Sequence, residues 1–206
     1  MKVLLVSYAY PPLAGASADR AVDLARSLPA LGIETHVLAP ELPDGTDSSG
    51  VATQAWVHRV RQIVRPAAPD SGAGDLGARL AGTGRALGRR VLRSDEGASW
   101  NLTAIPAAVR LARGLSLDAV VTVGPPHSVH LIGIAVKRAA RAAWLADLGG
   151  RPGDGMGWLV TRQSDAITCH SDDLADALRA RTGGRPVASV ELDPAASTAD
   201  LLRSLA

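Results

Sequence analysis

The first twenty residues, MKVLLVSYAYPPLAGASADR (Met1–Arg20), decide the reading of the fold. Val3 to Val6 is an unbroken apolar run, the pattern of a strand covered on both faces. Pro11 and Pro12 break it, Gly15 frees the backbone, and an amphipathic helix begins near Ser17. A strand, a loop of small residues and a helix N-terminus together present backbone N–H groups to an anion. The opening therefore points to phosphate-bearing ligands.

The same alternation continues along the chain. A helix is predicted from about Ala18 to Leu31, with Pro29 fraying its last turn and Gly32 ending it. A strand over Glu34–Leu38, a loop over 40–54 and a strand over Trp56–Val60 follow. Residues 66–78, rich in Pro, Gly, Ala and Ser, read as mobile, and Leu76, Leu80, Leu87 and Val91 then recur at helical spacing. Gly82, Gly84 and Gly88 weaken that helix by up to about 1 kcal/mol each. Beyond it come a helix over Leu102–Arg113, a strand over Ala119–Val123 and a helix from Ser128 to about Ala140. A strand over Ala143–Ala146 ends at Asp147, and a Gly-rich loop carries the chain to a strand over Ile167–Cys169. Ser171 caps a helix through Arg181, Pro186–Leu192 is the last strand, and Ser197 caps a short terminal helix. Strands alternating with helices imply one Rossmann-like, doubly wound, mainly parallel sheet with helices on both faces. The reading is a single domain over 1–206 with a mobile basic insertion at about 66–98.

Composition narrows the class. With 206 residues, 47% hydrophobic and 20% charged, the chain can build one ordinary core. Its one cysteine, Cys169, cannot form an internal disulfide or a thiolate zinc site, and fits a reducing, cytoplasmic setting. No apolar run approaches the roughly 18 residues of a membrane-spanning helix. The N-terminus imitates a signal peptide, yet its apolar core is only Val3 to Val6, so a first sheet strand is the better reading. Residues 56–93 hold eight arginines against Asp70 and Asp75. Such a block suggests an anionic surface: either a basic amphipathic helix over 76–93 touching a membrane peripherally, or a solvated helix flanking the core. Aromatic residues are only 3% of the chain, too few for base stacking, which argues against nucleic acid.

Ligands of such sheets sit beyond the carboxyl ends of the strands. The loops there hold Gly15, His127, His130, Asp147, Gly149 and His170. Asp147 follows an apolar strand, where a carboxylate has little structural reason to be. His127 and His130 read as site residues or as helix-capping and surface imidazoles, and His170 reads as structural. The run Gly149–Gly155 reads as a lid or a plain loop. Gly72-Ala73-Gly74-Asp75-Leu76-Gly77 spells a dinucleotide-binding pattern, but no strand precedes it, so it is read as linker. The sequon at Asn101 is taken as chance.

Lys2–Pro40, Val121–Gly133, Trp144–Asp147 and Ser164–Ser171 resemble, in order, segments of the acceptor-side domain of family-four-like glycosyltransferases of the GT-B fold. The resemblance implies that Gly15 approaches the sugar-nucleotide diphosphate or the acceptor and that Arg20 lies on the first helix. It also places His130 in the acceptor cleft and makes Asp147 an orienting or acid/base group on the cleft floor. Asp147 and His130 are thus the expected catalytic residues, and Gly15, Arg20, His127 and Gly149 the expected substrate-binding ones. Ala14 replaces one glycine of the family's usual pair, and Gly149 and Gly150 replace its Arg and Asp. The family's donor site, with two glutamates eight positions apart, has no counterpart among the four glutamates here. The expectation is half an enzyme: an acceptor-binding domain that transfers sugar from a nucleotide-diphosphate sugar once a separate donor-binding domain or chain, or a homodimer, completes it. No metal and no cofactor is expected. The alternative is a non-catalytic truncated relative that stabilises a partner glycosyltransferase, and a weaker third reading is a small binder of a phosphorylated metabolite.

Overall fold

The computed structural model describes residues 1–41, 54–62, 97–151, 154–189 and 194–205. Strand β1 (Lys2–Ser7) lies near the middle of a seven-stranded sheet, and helix α1 (Ala16–Ala30) follows it. Next come β2 (Glu34–Glu41), β3 (Trp56–Arg61), α2 (Asn101–Gly114) and β4 (Ala119–Gly124). A 3-10 turn over His127–Val129 leads into α3 (His130–Ala140), then β5 (Ala143–Leu148), α4 (Asp154–Gln163), β6 (Ala166–Cys169) and α5 (Asp172–Thr182). The short β7 (Val187–Ser189) and α6 (Pro194–Leu205) complete the described elements. The strands lie in the order β3-β2-β1-β4-β5-β6-β7, and every neighbouring pair is parallel. This is the expected doubly wound sheet.

Side chains alternate between the two faces of each strand. Leu4 and Val6 of β1 face α2, α3, α4 and α5, where Trp100, Ala104, Ile132, Val160 and Leu178 fill the larger core. Val3 and Leu5 face the other way, against Leu24 and Leu28 of α1 and Ala199 and Leu202 of α6. The second layer thus contains α1 and a helix that returns across the sheet after the last strand. Trp144 rests on α3 at Gly133, where a methyl group would stand 2.2 Å from the indole nitrogen.

Four local expectations need correction. β2 runs on through Pro40 to Glu41: its pairing with β1 ends at Leu38, and the last residues pair with β3 alone. Asp147 is the fifth residue of β5 rather than the first beyond it, because Leu148 still pairs with Cys169. Part of the Gly-rich run is helical. α4 forms despite Gly155 and Gly157 because Met156 and Val160, four residues apart, bury one face in the larger core. Ser197 lies inside α6, whose first residue is Pro194, and so does not cap it. Ser171 does cap α5, accepting from the Leu174 amide at 3.4 Å. Asn101 is buried and donates to the Ser128 carbonyl, which removes the sequon from glycan access. The helical spacing at 76–93, the glycine pattern at 72–77 and the arginines between Arg65 and Arg93 lie outside the described residues. No helix among the described residues is long and apolar enough to cross a membrane.

Candidate functional site

The carboxyl ends of β1, β4 and β5 and the residue after β6 open into one cleft of about 410 Å³. Gly15, Ser17, Arg20, Gly124, Gly149 and His170 line it. It stands between β1 and β4, where successive connections leave in opposite directions, the place where open α/β sheets bind ligands. Gly15 precedes α1 with φ of 127°, a backbone conformation that a side chain would strain, and its carbonyl accepts the Asp19 amide at 3.0 Å. The 15-residue α1 therefore points its unpaired first-turn amides into the cleft.

Arg20, one turn into α1, is 5% exposed, and Asp147 is fully buried. The Arg20 Nε and Nη2 both donate to Asp147 Oδ2, at 3.1 and 2.8 Å. Thr168, directly opposite Asp147 in the β5–β6 register, donates to the same oxygen at 2.8 Å. His170 Nε2 meets the other oxygen at 3.3 Å. Burial alone would raise the Asp147 pKa; the His170 hydrogen bond, the Arg20 charge and hydrogen bonds, and Thr168 together hold it below the ordinary carboxylate value. Both Asp147 oxygens are thus engaged, one by Arg20 and Thr168 and the other by His170. Arg20 Nη2 also donates to Thr198 of α6 at 3.2 Å. Its Nη1 is buried with no hydrogen-bond partner.

The histidine pair lies behind the cleft wall. His130 is fully buried, with Nδ1 2.8 Å from Thr122 Oγ1, and the Trp144 indole donates to that hydroxyl at 2.9 Å. The Thr122 hydroxyl thus accepts from the Trp144 indole and shares a hydrogen bond with the His130 imidazole. Burial first, and the neighbouring His127 second, push the His130 pKa down to about 3. Gly124 separates it from the cleft: a methyl group there would stand 2.9 Å from His130 Nε2 and 3.1 Å from His127 Nδ1. His127 is half-buried, its ring 5.7 Å from that of His130. Of the expected site residues, then, Gly15, Arg20 and Gly149 share the cleft, Asp147 braces it from beneath, and His127 and His130 sit behind it.

Gly149 has a steric reason of its own. Its amide donates to the Gly124 carbonyl at 2.9 Å, and a β-carbon would come within 2.6 Å of that oxygen. His170, read from the sequence as structural, lines the cleft and is 39% exposed. Its place immediately after β6 was the available signal, the same rule that picked out Asp147. The helix terminus, Arg20 and the imidazole of His170 thus stand around one cleft. Among the described residues, no three His, Cys, Asp or Glu side chains gather into a metal-binding group.

Sheet order, helix placement and cleft position define a Rossmann-like domain of the kind that forms one half of the GT-B fold. In three dimensions the chain is similar to MurG of Acinetobacter baumannii, at 16% identity and a TM-score of 0.51, over 84% of this chain and 42% of that one. It is also similar to a glycosyltransferase from Rickettsia africae, at 8% identity and 0.53, over 92% and 42%. A third likeness is to UGT89C1 of Arabidopsis thaliana, crystallised with quercetin, at 14% identity and 0.57, over 93% and 50%. The chain thus spans about half the length, or less, of these three structures. No protein-family model matches the chain, and no curated protein matches it in sequence.

Proposed function

We propose that the chain is the acceptor-side half of a GT-B-type glycosyltransferase, and that its cleft holds phosphate charge when a donor-binding domain or chain closes over it. The observation that carries this reading is Arg20, a buried guanidinium in the cleft wall beside a helix N-terminus, with Nη1 unpartnered. In the assembled enzyme, a nucleotide-diphosphate sugar would supply the anion, and the α1 amides near Gly15 with Arg20 would stabilise charge on the leaving phosphate. Asp147 keeps Arg20 and His170 in place, and His170, the exposed polar side chain of the group, positions the acceptor. His127 and His130 shape the wall behind Gly124. Holding donor and acceptor together requires both halves of the cleft.

Calorimetric titration with nucleotide sugars tests this, first on the chain alone and then with a donor-binding candidate chain. Weak binding alone and tight binding in the mixture are expected, and tight donor binding by the isolated chain overturns the half-site reading. One observation favours the rival, a non-catalytic relative that stabilises a partner enzyme: both Asp147 oxygens are occupied and His130 is walled off. Asp147→Asn separates the two, since transfer by a reconstituted complex survives that change only under the rival.

A further inference from the structure

A second cationic recess lies on the other side of the sheet edge from the cleft. It is formed where α4 and α5 end, has a volume of about 510 Å³, and is lined by Trp158, Arg162, Arg181 and Arg185 above the buried Thr161 and Thr182. Both helices start beyond the carboxyl ends of their strands and run back antiparallel to them, so their C-terminal turns stand at the amino end of the sheet. The recess shares no residue with the cleft.

Among the described residues, two of its three arginines lack an ion pair or hydrogen bond. Arg179 pairs with Asp176, Arg203 with Asp200 and Lys137 with Asp165. Among the described residues, Arg162 and Arg181 have no hydrogen bond or ion pair; Arg162 only stacks on the Trp158 ring, 5.5 Å from its centroid. Arg185 is fixed from the other side, donating from Nη1 to the Thr161 carbonyl at 2.6 Å. Helix C-termini attract a cation each. That accounts for the three arginines singly, Arg185 included because it donates to a last-turn carbonyl, but not for their convergence around a tryptophan left 52% exposed.

We propose that this recess is a second binding site, for a di- or oligophosphate. The planar guanidinium forks of Arg162 and Arg181 donate to phosphoryl oxygens in pairs, Arg185 adds a third positive charge from a fixed position, and the exposed flank of Trp158 receives the organic part of the ligand. The phosphate comes either from a free metabolite or from a lipid headgroup.

Titration with inorganic pyrophosphate at low salt tests the site in the wild-type chain and in the paired variant Arg162→Gln, Arg181→Gln. Both side chains are exposed, so the variant keeps the fold, which circular dichroism and a melting curve check. The expected result is saturable binding that weakens about tenfold or more in the variant and fades as salt rises. Ser17→Asp, which adds negative charge to the cleft only, leaves recess binding in place. If the arginine pair loses nothing, or if Ser17→Asp loses as much as the arginine pair does, the recess reading fails. Sedimentation with phosphatidylglycerol–phosphatidylcholine vesicles, against phosphatidylcholine alone, separates the sources. Arginine-dependent pelleting assigns a headgroup, and pyrophosphate binding without pelleting assigns a free phosphate. Binding of neither probe overturns the proposal.

Discussion

Arg20 donates twice to a single oxygen of Asp147 across 127 residues of sequence, and so fastens the helix after β1 to a strand two places away. The pair is shut from water, and it draws Thr168, His170 and Thr198 into one network. Fold stability and cleft electrostatics therefore rest on the same contact.

Removing one member leaves a buried charge unmatched. Asp147→Ala is expected to cost about 3–5 kcal/mol, with Asp147→Asn milder because the amide still accepts hydrogen bonds. The double variant Arg20→Met, Asp147→Leu should lose far less than the two single losses combined. Urea unfolding of the four proteins measures the coupling, and additive losses would contradict the pairing.

Acid should destabilise the chain well before its carboxylates titrate. His130 has its pKa moved from 6.5 to about 3 by burial, so below pH 6.5 the unfolded chain takes up a proton that the folded one refuses. Its contribution is complete above pH 6.5 and drains at about 1.4 kcal/mol per pH unit toward pH 3. The depressed Asp147 adds a separate loss that begins as pH falls into the ordinary carboxylate range and continues below it. Between pH 6.5 and 4.5, melting temperatures of His130→Gln should fall less steeply than those of the wild type.

Adjacent glycines should respond in opposite ways. Gly149→Ala drives a methyl group onto the Gly124 carbonyl, a backbone atom that cannot swing aside, and is expected to cost about 1–3 kcal/mol. Gly150→Ala meets nothing within 4 Å and should be nearly neutral. Paired thermal melts decide it.

Arg59 on β3 donates to the carbonyls of both Pro11 and Pro40 and lies over the Tyr10 ring. Arg59→Met should free the Tyr10–Gly15 segment, so amides there exchange faster with deuterium while those of β4 and β5 stay protected. Uniform exchange in variant and wild type would remove Arg59 from this role.

The parallel sheet was readable because its strands are continuous apolar runs, as at Val3–Val6 and Ala119–Val123, bounded by Gly and Pro. α4 was not, since Gly155 and Gly157 suppress the local signal and only burial of Met156 and Val160 makes it helical. At the site, strand-end position found Gly15, Asp147 and Gly149. It could not tell that Asp147 would spend both oxygens on Arg20, Thr168 and His170, because partners so distant in sequence leave no periodic trace. His130 misled for a related reason: a histidine that follows a strand end can face the cleft or turn behind it, and here Thr122 and Trp144 draw it behind.

The Gly149 amide resting on the Gly124 carbonyl makes the base of the crevice from main chain alone. A base without side chains offers mutation nothing to exchange. In this chain a change of ligand preference falls to the rim, to positions such as Ala14, Ser17 and His170.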